Sequence, residues 1–317
     1  MNILSTTNMS EKHQQRLSKQ FPQHRFIYAA NPEEGRSALT EADVLVAFGN
    51  GIGEETLDEA PRLKWIHVMS AGLETLPFPK LQDRGILLTN VRGIHAIPMA
   101  EYTFAAMLHI SRRMGELAQA QREKRWAKRL RVTELWDKSL GIVGVGAIGR
   151  EIARRARVFG MYTLGVNTDG RSVEGVDETW ATHDLKKVLA RSDFVVVAVP
   201  LISSTRRLID REAIASMKET AYLINVARGP VVDEAALVEA LEQKRIAGAV
   251  LDVFDEEPLP EDHPFWTMDN VMVTPHISGL SPMYMTRGVD LFIENLSYYT
   301  RGEIEKMQNV IDVTRQY

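Results

Sequence analysis

Short apolar runs recur along the chain, separated by polar turns. Between them the apolar positions shift to a spacing of three and four. Asn2–Ser5, Phe26–Ala29, Val44–Phe48 and Trp65–Met69 have the length and composition of strands. Ser10 is placed to cap a polar helix, and Glu54–Ala60 reads as a short helix closed by Pro61. From Pro98 a longer helix is expected, with Met107, Ile110, Met114 and Leu117 forming one core-facing stripe. Beyond it the alternation is regular. Strands are predicted at Leu140–Val143, Met161–Asn167, Phe194–Val199, Tyr222–Val226, Ala247–Asp252 and Val271–Thr274. Helices fall between them, at Asp184–Ala190, from the Asp210 cap through Met217, and from the Asp233 cap through Lys244. Strands alternating with helices imply right-handed crossovers and parallel sheets, hence an α/β, doubly wound architecture.

The first strand of the second half runs straight into Gly144, Gly146 and Gly149, and Ile148, Ile152 and Ala156 then open a helix. Strand, G-x-G-x-x-G and helix in that order form a dinucleotide-binding turn. The first glycine makes the turn, the second admits a pyrophosphate, and the third lets helix meet strand. Exposed N–H groups and the helix dipole favour the phosphates.

Three polar residues fall at ends of predicted strands, where ligands of such sheets sit. Arg228 follows Tyr222–Val226, Glu257 lies beyond Ala247–Asp252, and His276 follows Val271–Thr274. A guanidinium there can hold a carboxylate through two parallel hydrogen bonds. Histidine is a proton donor suited to neutral pH, and a buried carboxylate beside it favours its protonated form. In the first half, Ser70-Ala71-Gly72 is a small-residue loop whose backbone N–H groups suit a carboxylate.

Composition narrows the field. A length of 317 residues favours two domains, and a net charge of −4 gives no support for a nucleic-acid partner. One basic run, Arg122–Arg131, is interrupted at helical spacing by Trp126 and reads as a solvated helix face. Without cysteine there is no disulfide, thiolate catalysis or Cys-ligated metal, and no metal is expected. The N-terminus lacks the pattern of a signal peptide and no apolar stretch is long enough to span a bilayer, so a cytoplasmic protein without membrane contact is expected. Trp126, Leu130, Leu135 and Trp136, beside the basic run, suggest a partner surface and a homodimer.

Taken together, Gly144–Gly149, Val199-Pro200-Leu201 with Thr205, Val226-Ala227-Arg228-Gly229 with Asp233, Leu251-Asp252-Val253-Phe254 with Glu257-Pro258, and Thr274-Pro275-His276 resemble the D-isomer-specific 2-hydroxyacid dehydrogenase family over essentially the whole chain. The resemblance implies two Rossmann-like domains. Residues 1–98 plus 280–317 would form a discontinuous, flavodoxin-like substrate domain, and 99–279 the dinucleotide domain. It implies NAD(P)H-dependent reduction of a small 2-oxo acid, of the glyoxylate or hydroxypyruvate kind, to the D-2-hydroxy acid. Arg228 would bind the carboxylate and carbonyl, His276 would protonate the carbonyl oxygen, and Glu257 would orient His276. Ser70, Ala71 and Gly72 would hold the carboxylate by their backbone. The cofactor would meet Gly144, Gly146, Ala147, Ile148, Gly149, Asn167, Thr168, Arg171, Val199, Pro200, Thr205, Val226, Ala227, Arg228, Asp252, His276 and Gly279, with Asp252 on the nicotinamide carboxamide. Substrate preference would come from Met69, Leu73, Arg92, His95 and Leu280–Tyr284. The scaffold also resembles that of C-terminal-binding-protein corepressors, which leaves a non-enzymatic, dinucleotide-sensing protein as the alternative.

One departure bears on the cofactor. An NAD-preferring site carries an acid at the end of the second strand of this domain, on the ribose 2′-hydroxyl. That position is Asn167, followed by Thr168, Asp169 and Arg171. Asparagine does not repel a 2′-phosphate and Arg171 can pair with one, so NADP(H) is expected, with NAD(H) open through Asp169.

Overall fold

A computed structural model of the protein describes residues 1–73 and 75–314. The chain divides into two compact units, Met1–Ile94 with Ser281–Tyr317, and His95–Leu280.

The first unit holds a parallel sheet of β1 (Asn2–Ser5), β2 (Arg25–Tyr28), β3 (Val44–Ala47), β4 (Trp65–Val68) and β5 (Leu87–Asn90), in the order β2-β1-β3-β4-β5. The two strands next to the edges, β1 and β4, and central β3 are almost wholly buried, which is why apolar residues dominate them. β5 escapes the sequence pattern. It is an edge strand of only four residues ending Thr89-Asn90, with too little apolar signal of its own. The helix Tyr284–Thr300 packs back on this unit, its Phe292 ring 5.3 Å from that of Trp65 and 5.2 Å from that of His67.

The second unit holds seven parallel strands: β6 (Ser139–Val143), β7 (Tyr162–Asn167), β8 (Glu178–Ala181), β9 (Phe194–Val197), β10 (Tyr222–Asn225), β11 (Gly248–Leu251) and β12 (Val271–Val273). Their order is β12-β11-β10-β9-β6-β7-β8, so the winding reverses between β6 and β9. β8 too is an edge strand, and its Glu178, which binds Arg191 and Tyr162, masks it in the sequence.

Three helical expectations change. The helix starting near Pro98 is Ala96–Ser111, and Arg113 then takes left-handed backbone (φ 51°) before a second helix, Met114–Arg122. The basic run is therefore not a helix face, because the helix ends where the run begins and no regular element covers Glu123–Lys138. Ser10 makes no side-chain cap, whereas Asp210 and Asp233 accept from Ala213 N and Ala236 N as expected.

Candidate active site

The glycine turn sits at the reversal point of the larger sheet. Gly144 has φ 102°, and a Cβ there would stand 2.7 Å from the Ala198 carbonyl oxygen at the end of β9. A Cβ on Gly149 would collide with the Gly144 carbonyl, so helix Ala147–Val158 can start this close to β6 only with glycine. Gly146 differs. Nothing lies within 4 Å of where its Cβ would be, and both it and Ala147 are exposed at the helix N-terminus. Open space over free helix-start amides fits a pyrophosphate.

At the end of β7 the polar groups are engaged with one another. Asn167 Nδ2 donates to the Arg171 carbonyl (2.8 Å) and Asn167 Oδ1 accepts from Gly170 N (2.6 Å), so Asn167 shapes the turn Thr168–Arg171. Arg171 Nη1 pairs with Asp169 at 3.0 Å, and both side chains are exposed. The backbone N–H of Arg171, with its guanidinium contributing less, holds the Asp169 carboxyl below its usual range. Thr205 is spent inside its own loop, donating to the Pro200 carbonyl (2.6 Å) and accepting from Ile202 N (2.9 Å).

Arg228, Asp252 with Glu257, and His276 follow β10, β11 and β12, three strands adjacent in the sheet. Their loops interlock. Asn225 Oδ1 accepts from Ala227 N (3.0 Å) and Asn225 Nδ2 donates to the Arg228 carbonyl (3.2 Å), while Arg228 Nη1 donates to the Ala227 carbonyl (2.8 Å). Gly229 presses on the Phe254 carbonyl so closely that no side chain would fit, which ties the Arg228 loop to the loop carrying Glu257. Glu257 Oε1 accepts from Phe254 N (3.0 Å), and its Oε2 lies 2.7 Å from His276 Nδ1. The pair is half-exposed rather than buried, with side chains 36% and 46% accessible. A carboxylate only accepts, so Nδ1 carries the proton toward Glu257 and Nε2 is left for a substrate.

Asp252 is fully buried and its carboxylate organises the histidine loop. It accepts from Thr274 Oγ1 (2.6 Å), Ile277 N (2.9 Å) and Ser278 N (2.8 Å). Tyr102 Oη donates in turn to Thr274 Oγ1 at 2.6 Å, and burial pushes that phenol up to about 12, so it remains a donor. His276 itself has φ 54°, left-handed backbone that is uncommon outside glycine and is held here by its N–H on the Asp252 carbonyl (2.9 Å). Val226 and Ala227 are buried, Val199 and Gly279 half-buried, and Pro200 and Thr168 exposed. Burial and then the Arg228 charge lower the His95 imidazole from its usual value, which keeps it neutral. Neither Tyr102 nor Asn225 was foreseen, since a tyrosine in an amphipathic helix and an asparagine ending a strand carry no motif.

In the other unit, the loop after β4 has its carbonyls tied back. Ser70 Oγ donates to the Gly72 carbonyl (3.0 Å), Asn90 Nδ2 to the Ala71 carbonyl (3.0 Å), and Tyr284 Oη to the Met69 carbonyl (2.7 Å). The N–H groups of Ser70, Ala71 and Gly72 meet no acceptor among the described residues. Met69 and Leu73, expected to shape a substrate pocket, have side chains buried in the apolar clusters of the first unit. Among the described residues no cluster of potential metal ligands occurs, and no helix is long and apolar enough to cross a membrane.

Fold and site thus define a dinucleotide-dependent oxidoreductase. Residues 104–278 match the family described as "D-isomer specific 2-hydroxyacid dehydrogenase, NAD binding domain". The chain is 38% identical over 279 residues to a glyoxylate reductase of Thermofilum pendens, covering 86% of this chain and 82% of that protein. It is 36% identical over 300 residues to a glyoxylate/hydroxypyruvate reductase B of Yersinia pestis, covering 92% of each. A solved D-isomer specific 2-hydroxyacid dehydrogenase family protein from Aeromonas salmonicida aligns with TM-score 0.87 and 31% identity over 98% of both chains. The chain belongs to the D-isomer specific 2-hydroxyacid dehydrogenase family. It is an enzyme of that family, an oxidoreductase that uses a nicotinamide dinucleotide.

Proposed function

We propose that this enzyme reduces a small 2-oxo acid of the glyoxylate or hydroxypyruvate class to the D-2-hydroxy acid, with NADPH as the preferred donor. The observation that carries the reading is the Glu257–His276 contact of 2.7 Å on a strand-end loop, two strands from the one that presents Arg228. The nicotinamide, when bound, supplies the hydride. Arg228 holds the carboxylate and the carbonyl oxygen with its planar fork, and His276 Nε2 gives a proton to that oxygen as C2 takes the hydride. The C2–O double bond becomes an alcohol, and Glu257 keeps the resulting Nδ1–H imidazole in place. The amides of Ser70, Ala71 and Gly72 hold the substrate carboxylate.

For the cofactor, Gly144, Gly146, Ala147, Ile148 and Gly149 take the pyrophosphate. Asn167, Thr168 and Arg171 face the ribose 2′-position, Val199, Pro200, Val226, Ala227 and Gly279 contact the rest of the dinucleotide, and Thr205 and Asp252 act by holding the loops around it. Support for NADPH is the absence of an acid at Asn167 and an arginine held only by an exposed ion pair, which a phosphate can displace. We further propose a homodimer through the second unit, where Trp126 is 91% and Trp136 70% accessible, whereas Leu135, expected beside them, is buried in that unit's own core.

The test is steady-state oxidation of NADPH and NADH with a panel of 2-oxo acids, followed by chiral analysis of the product. Turnover of glyoxylate and hydroxypyruvate, with the D product from hydroxypyruvate, is expected. A protein that binds the dinucleotide yet turns over no 2-oxo acid would overturn the proposal.

A further inference from the structure

We propose that Tyr284 is a positioning residue for the substrate carboxylate, acting through the Met69 carbonyl on the loop Met69–Gly72. The inference deepens the reading of that loop as the carboxylate cradle and rests on it.

In a trans peptide the carbonyl of one residue and the N–H of the next point in opposite directions. A donor that fixes a carbonyl on one side of the chain therefore aims the following amide to the other side. Tyr284 Oη, 2.7 Å from the Met69 carbonyl, sets the Ser70 amide in this way. Asn90 Nδ2 on the Ala71 carbonyl (3.0 Å) sets the Gly72 amide, and Ser70 Oγ on the Gly72 carbonyl (3.0 Å) sets that of Leu73. The Ser70, Ala71 and Gly72 amides meet no acceptor among the described residues. Two of the three clamps are local or come from the neighbouring strand β5. The third comes from the far end of the chain.

Tyr284 is suited to this work. It is the first residue of helix Tyr284–Thr300, whose Phe292 packs on Trp65 and His67 of β4, the strand immediately before Met69, so packing holds the helix against that strand. Its ring lies 6.4 Å from that of Phe48, just beyond β3, which limits where the hydroxyl can point. Burial pushes the phenol up to about 12, so it remains a donor through the working pH range. Nothing in these contacts requires a hydroxyl for packing, since the ring alone would fill the same space.

The experiment compares wild type with Tyr284→Phe, which deletes one hydroxyl and keeps the ring. We expect KM for glyoxylate and hydroxypyruvate to rise about tenfold, equivalent to roughly 1.4 kcal/mol, with kcat within about threefold. The dissociation constant of oxamate, an unreactive carboxylate analogue, measured by calorimetry on dinucleotide-loaded protein, should rise by the same factor. The dinucleotide constant should not move. Phe48→Leu loosens the ring's neighbour while leaving the hydroxyl, and should keep KM within twofold, so packing and hydrogen bonding separate even if Tyr284→Phe folds poorly. Unchanged KM and oxamate affinity in Tyr284→Phe, an equal rise in Phe48→Leu, or a wild type that binds no oxamate would each overturn the proposal. Absence of wild-type turnover with oxamate binding intact would instead count against the substrate reading, and the oxamate comparison would still decide the role of Tyr284.

Discussion

Glu257 Oε2 stands 2.7 Å from His276 Nδ1, and the same carboxylate takes the backbone N–H of Phe254 through its other oxygen at 3.0 Å. One side chain thereby fixes both the rotation of the imidazole and the nitrogen that carries its inner proton. Replacing His276 with Ala should lower kcat by about 10²- to 10⁴-fold, the usual contribution of a positioned proton donor, and leave the dinucleotide dissociation constant within about twofold. Glu257→Gln keeps the shape but removes the charge and should cost about ten- to a hundredfold in kcat. Near-normal turnover in His276→Ala would remove it from the mechanism.

Arg228→Lys should not restore activity. The loop holding Arg228 is set by Asn225 and by the Gly229–Phe254 contact, so the backbone would survive the change, but an ammonium has no planar pair of donors. A rise of at least tenfold in KM for the 2-oxo acid is expected, and full activity in the lysine variant would rule out two-point binding.

At the proposed ribose site, Arg171 is already paired with Asp169 at 3.0 Å, so a 2′-phosphate would have to displace that carboxylate. Arg171→Ala should lower kcat/KM for NADPH by roughly 10- to 150-fold and leave NADH nearly untouched, while Asp169→Asn should favour NADPH further. Asn167→Asp should shift preference toward NADH. Equal effects of Arg171→Ala on both dinucleotides would dismiss the phosphate reading.

His67 predicts how stability depends on pH. It is fully buried, bonded through Nδ1 to Thr89 Oγ1 (2.9 Å), and burial lowers it to about 3, opposed only in part by the Gly288 backbone. Its folded value lies below its unfolded one, so the unfolded chain binds the proton first as pH falls. Its contribution is complete above about pH 6.5 and is lost as pH drops from there toward 3, at up to about 1.4 kcal/mol per unit. Urea unfolding at pH 6.5 and 4.5 should show this loss, and His67→Phe should reduce the difference by about one proton's worth. A wild-type stability flat across that interval would contradict it.

Light scattering at micromolar concentration should report twice the chain mass of 35.7 kDa. Trp126→Glu with Trp136→Glu should give a monomer, because each places a charge on the apolar surface proposed to be covered. A wild-type monomer would dispose of the homodimer.

Local pattern was enough to specify a good part of this protein. Buried parallel strands are dominated by apolar residues, so β1, β3, β4, β6, β9, β10 and β11 announce themselves despite single polar members such as His67 and Asn225, and helix caps such as Asp210 and Asp233 need only near neighbours. The glycine turn and the strand-end positions of Arg228, Glu257 and His276 are likewise readable, because backbone turns and strand ends leave their mark within a few residues. The edge strands β5 and β8 were not readable: β5 ends in Thr89-Asn90, buried beneath the distant segment 309–311, and β8 carries the ion-paired Glu178, so neither shows an apolar run.

What tertiary structure alone decided is which polar groups are used up and which remain free. Asp252 has the same formal chemistry wherever it lies, yet its carboxylate is committed to Thr274, Ile277 and Ser278 and so builds the histidine loop. Arg171 is paired with Asp169, Met69 is buried, and Tyr284 reaches the carbonyl of a residue more than two hundred positions away. Hydrogen bonds and burial depend on distance in space, and a spacing pattern carries no record of the partner that folding brings alongside.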